Sequence, residues 1–414
     1  MSTRPIIIVT GANNGIGFGT CRRLLAQLSQ INPPDAQPLF SRVADQQDVG
    51  ILYPCEGMTL IMACRNTQRA EAARVKLYEE FRADVAGRKG ADRKHLERFQ
   101  QNLTIDICQL DLASVHSVFE FADKVSRAYP YVSHIICNAG VAPFLHISWL
   151  GLVKQILINF LDAVTYPRYN VQQSGMMSED GLGWVWQCNV FGHYILCRAL
   201  EPALSAYSDA QHGPARVLWM SSLEANPVHY DTEDWQLTKS LHSYEGSKYQ
   251  MDLIGAELNR RALRQTPPSV RHFVVHPGVV YTAIDAVLLG AFFHRMKHLI
   301  FYLARFVGSP HHTITSWNGA SAAVHVALAS LAFLPVFFSA TIGHSHGNGH
   351  TQPVPARLHS ITDRFGTSLV GAQPITAWEE YEDEGVKLVN RCEKLYLSFV
   401  AAEGRNLTES ALDD

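Results

Sequence analysis

Short apolar runs alternate with longer amphipathic stretches along most of the chain. Residues 5–9, PIIIV, end in a glycine-rich turn, and CRRLLAQLSQ at 21–30 continues with helix formers, so the opening unit reads as strand, tight turn, helix. Further apolar runs follow at 58–64 (MTLIMAC), 103–110 (LTIDICQL), 134–140 (HIICNAG), 216–222 (RVLWMSS) and 271–278 (RHFVVHPG). Helical stretches separate them, most clearly at 184–204. Strands that alternate with helices and end in small or polar residues predict an α/β fold. The expected form is a Rossmann-like doubly wound parallel sheet with its site at the strand C-termini.

The alternation breaks twice. Residues 31–57 are Pro-rich and aperiodic and read as an inserted surface loop. Residues 306–356 contain no Asp, Glu, Lys or Arg, and AAVHVALASLAFLPVFFSATIG at 322–343 is long enough to pose a transmembrane question. Pro335, His325 and several small residues favour a buried helix on the sheet over a span. Upstream, 284–308 mixes large apolar residues with Arg295, Lys297, His298 and Arg305, the pattern of an interfacial helix or of a lid over an apolar pocket. The tail at 375–403 reads as a docked C-terminal helix. The organisation expected is one domain: a nucleotide-binding catalytic core over 1–283, then an apolar lid or membrane-associating segment, final sheet elements and a closing helix over 284–414.

Composition narrows the partners. The 414 residues are 47% hydrophobic, enough for a full core, and the net charge of −3 without a long basic run argues against nucleic acid. Eight cysteines lie scattered with no CxxC pair and read as reduced thiols packed like small hydrophobes. The N-terminal apolar run is too short for a cleavable signal, so translation into the cytosol and unused sequons at Asn102 and Asn406 are expected. Imidazoles cluster in HSHGNGH (344–350) and SPHHT (309–313) without acidic or cysteine partners, so both read as loops and no metal is expected.

Candidate chemistry begins with TGANNGIG at 10–17, placed after a strand and opening a helix. Gly11 permits the turn, Gly15 lets the backbone approach a pyrophosphate, and Gly17 allows close helix packing, with Ile16 between them. The second strand ends ACRN, with Arg65 where an acidic residue would hold the ribose 2′-hydroxyl of NADH; a guanidinium there favours NADPH. In SYEGSK (243–248), Tyr244 and Lys248 stand four apart on one face of a helix, where a cation beside a phenol is expected to lower its pKa. That spacing alone is common by chance.

Its company is not. TGANNGIG, LDL (110–112), CNAG (137–140), CNV (188–190), SS (221–222), YEGSK and HPGVVYT (276–282) occur in the order of the short-chain dehydrogenase/reductase family, which the chain resembles from residue 5 to 282. The resemblance implies Tyr244 as proton donor and Lys248 as its pKa modulator and a ligand of the nicotinamide ribose. It also implies Ser222, rather than Ser221, as hydrogen-bond donor to the substrate oxygen, and Asn189 as holder of a relay water. Asp111 would contact adenine, Asn138 to Gly140 would line the cofactor, and Val280 with Thr282 would bind the carboxamide. Ser222 and Tyr244 are spaced more widely than is usual in the family, so the intervening segment is an insertion beside the active site. With SSLEANPVHYDTEDWQ and YEGSKYQMDLIGAELN, this looks like the fungal 3-keto-steroid reductases of sterol C-4 demethylation. That likeness implies a sterol ketone as substrate, NADPH as cofactor, and a place at the endoplasmic reticulum membrane or lipid droplet among other sterol-biosynthetic enzymes, with the catalytic domain facing the cytosol. The rivals are another hydrophobic ketone, such as a 17-keto steroid, retinoid or fungal secondary metabolite, and a scaffold for neighbouring sterol enzymes.

Overall fold

The computed structural model describes residues 4–39, 51, 53–282, 286–335, 337–338 and 354–405. Its strands are β1 (Ile6–Thr10), β2 (Met58–Cys64), β3 (Leu103–Gln109), β4 (His134–Cys137), β5 (Phe144–Ile147), β6 (Asn170–Gln172), β7 (Ala215–Met220), β8 (Val270–His276), β9 (Phe337–Phe338), β10 (Val354–Thr362) and β11 (Ser368–Pro374). The main sheet runs β3–β2–β1–β4–β7–β8–β10–β11, with β9 on β10. Every neighbour from β3 to β10 is parallel; the β10–β11 and β10–β9 pairs are antiparallel. Helices cover both faces, which is why β1, β4 and β7 are apolar runs buried at every position rather than alternating. β1 pairs with β2 on one side and β4 on the other, Ile8 lying opposite Ile61 and Ile135. The strand order reverses there, and in such sheets the ligand crevice opens beyond the C-terminal ends of the reversing strands.

Two apolar layers sandwich the sheet. One gathers Phe119, Trp186, Phe191 and Tyr249. The other gathers Leu24, Phe99 and Val324. All eight cysteines are buried free thiols, as composition led us to expect.

The first part of the charge-free segment is a core element. Its helix, Ser321–Leu328, is buried throughout and stops after eight residues. The Arg216 guanidinium donates to the carbonyls of Val326 and Ala329 at 2.7 and 2.6 Å, and a His134 ring nitrogen meets that of Ala327 at 2.9 Å. A cation and an imidazole thus take carbonyls at the helix's end inside the core. No helix among the described residues is long and apolar enough to cross a membrane. The HSHGNGH stretch lies outside the described residues; among those described, no cluster of His, Cys, Asp or Glu could hold a metal.

The start of the 31–57 insertion is tied down rather than loose: Arg23 donates to both oxygens of Asp35 at 2.5 and 2.8 Å. The rest of it from 40 to 50 lies outside the described residues. The helix expected over 184–204 is broken by a π-turn at Gln187–Phe191 and again at Leu200, before Glu201–Tyr207. The C-terminal helix, Trp378–Ala402, docks on the helix Ser243–Ala262, with Glu393 paired to Arg198 and Glu382 to Arg260. The hairpin β5–β6, apart from the main sheet, carries two helices, Trp149–Ile158 and Phe160–Thr165.

Candidate active site

Thr10, the last residue of β1, holds the glycine turn and the end of β4 together. Its hydroxyl accepts from the amides of Asn138 and Ala139 at 2.9 Å each, and its carbonyl accepts from the Asn138 side-chain amide at 2.8 Å. Gly11 and Gly15 sit at φ +66° and +55°, where a side chain is strained. A Cβ on Gly17 would stand 2.3 Å from the Gly11 carbonyl oxygen and 2.5 Å from Asn138 Nδ2, so only glycine lets the helix Gly15–Leu28 start this close to β4. Over Gly15 the nearest atom is Thr282 Cγ2 at 3.7 Å, which leaves an open cradle at the helix N-terminus. Arg65, exposed at the end of β2, makes no hydrogen bond or ion pair among the described residues. Burial pushes the Cys188 thiol up, with Asp111 adding to the rise and Arg65 opposing it, so both charges are felt at that side chain. One Asp111 oxygen accepts from the Ala113 amide at 3.0 Å.

The Tyr–Lys helix, Ser243–Ala262, has no capping side chain of its own at His242. Gln172 of β6 does that work: its carbonyl oxygen accepts from the Tyr244 amide at 3.0 Å and the Ser243 hydroxyl at 3.3 Å, while its amide donates to Glu245 at 2.5 Å. Burial pushes the Glu245 carboxyl up, but the His242 and Gln172 hydrogen bonds outweigh it and leave the net shift downward. The segment 223–242 closes on the same turn; a Cβ on Gly246 would meet the His229 carbonyl at 2.8 Å.

Lys248 is buried, and burial lowers its ammonium to about 8, against the pull of Asp252. It donates to the Met220 carbonyl at 2.7 Å and stands 5.9 Å from the centre of the Tyr244 ring. Tyr244 is pushed up rather than down, first by burial and then by the Glu224 carboxylate, with a hydrogen bond to Ser222 pulling the other way. The expected net lowering is therefore not seen: burial and Glu224 prevail over a Lys248 ammonium that is bonded to Met220 and lies 5.9 Å from the ring centre. A raised phenol is protonated at neutral pH and able to act as an acid. Ser221 points elsewhere, donating to the Lys248 carbonyl at 3.2 Å, so Ser222 is the serine that faces Tyr244.

These groups form one end of a cavity of about 320 Å³. Ile16, Asn138, Gly140, Val280 and Thr282 line its nucleotide side. Ser222, Tyr244 and Lys248 sit at its floor, and Leu152, Ile156, Val164, Ile300 and Phe301 make an apolar roof. The cradle at Gly15, the exposed Arg65 and this lining suit a dinucleotide.

No family model matches the chain. The chain is 27% identical to the 3-keto-steroid reductase erg27 of Aspergillus fumigatus over 96% of this chain and 95% of that one. It is 30% identical to the 3-keto-steroid reductase of Candida glabrata over 78% and 80% of the two chains. It is also 30% identical to the 3-keto-steroid reductase erg27 of Schizosaccharomyces pombe, over 79% and 83%. The chain belongs to the 3-keto-steroid reductase family. As a reductase it is an oxidoreductase.

Within this reductase, Asn189, Gly140 and Lys248 come together: a Cβ on Gly140 would lie 3.3 Å from Asn189 Oδ1 and 3.5 Å from Lys248 Nζ. Asn189, expected to hold a water, spends its side chain on protein. Its oxygen accepts from the Val141 amide at 2.8 Å, and its amide donates to Ser247 at 2.9 Å and to the Val141 carbonyl at 3.0 Å. Gly11, Gly15, Gly17, Arg65 and Asp111 lie outside the cavity wall, on the nucleotide side. Thr10, Gln172 and Glu224 were not singled out by sequence reasoning. Thr10 was within reach, because it precedes the first glycine of the turn. Gln172 and Glu224 had no motif to mark them.

Proposed function

We propose that this reductase uses NADPH to convert the 3-keto group of a C-4-methylated or C-4-demethylated sterol to the 3β-hydroxyl, in the C-4 demethylation steps of ergosterol biosynthesis. One observation carries the reading: Ser222, Tyr244 and Lys248 line a cavity of about 320 Å³ together with many large apolar side chains, among them Phe144, Leu152, Ile156, Phe160, Ile300 and Phe301. A rigid, nearly all-hydrocarbon substrate with a single ketone needs a cavity of that polarity. The relatives' shared name, 3-keto-steroid reductase, points to the same group.

The cofactor, when bound, supplies the hydride. The protein's own task is the oxygen. As negative charge builds there, the Ser222 and Tyr244 hydroxyls donate hydrogen bonds to it, and Tyr244 then gives up its proton, leaving the alcohol. Tyr244's raised pKa keeps that proton in place until the substrate oxygen becomes the stronger base. The Lys248 ammonium, held by Met220, provides a fixed positive charge beside the phenolate that forms. Exposed Arg65 supports NADPH over NADH, since a guanidinium pairs with a 2′-phosphate.

The proposal extends to location: the endoplasmic reticulum membrane or a lipid droplet, with the catalytic domain facing the cytosol and other sterol-biosynthetic enzymes nearby. The test is NADPH oxidation by purified protein with a 4α-methyl-3-ketosterol, a 17-keto steroid and retinal as parallel substrates, with products identified by mass spectrometry. The reading expects a 3β-alcohol from the first alone; turnover of only the second or third overturns it.

A further inference from the structure

Two helices roof the cavity, and each is apolar on more than one face. In Trp149–Ile158 no residue is buried. Trp149, Leu152 and Ile156 turn toward the cavity. On the other side Leu150, Val153 and Leu157 are 83%, 53% and 80% exposed. In Ala286–Phe306, Ile300 and Phe301 line the cavity. Leu299, Leu303 and Phe306, spaced three or four apart on the outer face, are 65%, 51% and 67% exposed. The second helix packs against the helix Phe160–Thr165 and strand β5, so both belong to one rim. Trp149, Ile156 and Met296 line the cavity and are also exposed, which means the cavity opens on this rim.

We infer that the outer faces of these two helices form a docking surface for an anionic lipid layer, and that the cavity loads sideways from that layer. An exposed apolar patch of this extent marks an interaction surface. Charge selects its occupant: neither helix contains Asp or Glu, while Lys154 and Arg295 lie on them, both exposed. A second copy docked face to face would set cations against cations with no carboxylate on either helix to pair them; lipid phosphates and carboxylates supply that pairing. Neither helix meets the requirements of a membrane span, so the contact is with the surface of the layer. The sideways loading, though not the docking, rests on the apolar ketone proposed above.

The test is co-sedimentation of the full chain with phosphatidylcholine vesicles carrying about 30 mol% phosphatidylserine. It compares the wild type with the double variant Leu157→Glu/Leu303→Glu, whose changes lie outside the cavity wall. The wild type should bind, and the variant's binding should fall about tenfold or more. Turnover of a detergent-dispersed ketone should stay within about twofold of wild type in the variant, while turnover of the same ketone embedded in vesicles falls with binding. Equal binding by both proteins, no binding by either, or a concentration-dependent dimer that the variant abolishes would each overturn the docking face. Vesicle binding that is lost in the variant, with no ketosterol turned over by either protein, would leave the face standing and sink the substrate reading alone.

Discussion

The two sides of the site are built on opposite principles. The nucleotide side, behind the cavity wall, is made of closely packed backbone: the hydroxyl of wholly buried Thr10 accepts two amides, and a Cβ on Gly17 would collide with the Gly11 carbonyl. The roof is made of large side chains on helices that leave Leu150, Leu157 and Phe306 mostly in water. The first side recognises a fixed ligand by close approach and leaves no room to adjust. The second recognises bulk apolar surface, where shape tolerates change and burial depends on what lies outside the chain.

The largest contrast should come from the rigid side. Gly17→Ala is expected to abolish measurable NADPH binding and to destabilise the fold by about 1–3 kcal/mol, because the clashing atoms are a carbonyl and a bonded amide that cannot yield. Nucleotide titration and thermal melts read both. On the same side, Arg65→Glu should shift the NADPH/NADH preference in kcat/KM toward NADH by about 10- to 100-fold, the worth of a charge-assisted hydrogen bond. An unchanged ratio would remove Arg65 from the nucleotide site.

The floor joins the two sides and should show a pH signature. Lys248 has its folded pKa at about 8, below its ordinary 10.5, so kcat/KM for reduction should fall as pH rises through about 8 and the ammonium is lost. Stability runs the other way. The unfolded chain binds more protons between those two values, so the cost of this buried lysine is full below pH 8 and is relieved as pH rises toward 10.5. Lys248→Met should therefore lose activity without a lower melting temperature at pH 7. The smallest effects belong to the roof: Leu152→Ala or Ile300→Ala should raise the ketone KM by about tenfold or less while the Kd for NADPH stays put. A comparable loss of NADPH binding would mean that the two sides are not independent.

The same contrast explains what could be read from the chain. The glycine turn, the strand ends and the Tyr–Lys pair were legible because close backbone approach and charge each demand one residue type at one spacing, and the structure brings Gly140, Asn189 and Lys248 within contact. Gln172 was invisible, because the cap it supplies to Tyr244 comes from a hairpin 72 positions away in sequence. The helix Trp149–Ile158 was missed for a different reason: its apolar residues do not separate into a buried and a solvated face. The charge-free segment posed a transmembrane question that small residues, His325 and Pro335 answered in favour of a buried helix, and its helix Ser321–Leu328 is buried, but nothing in the pattern showed that Arg216, from β7, takes the carbonyls at its end. Tyr244's pKa shift had the wrong expected sign, since helix spacing gives the side of a residue but not that Lys248 turns to Met220.

The account turns on Tyr244 as the acid in a largely apolar cavity. Its most direct test is single-turnover reduction of a 4α-methyl-3-ketosterol by NADPH-loaded wild type and Tyr244→Phe, with the Kd for NADPH measured alongside. The account predicts a rate loss of about 10²- to 10⁴-fold with NADPH affinity retained. Reduction at a near wild-type rate by the phenylalanine variant would contradict it.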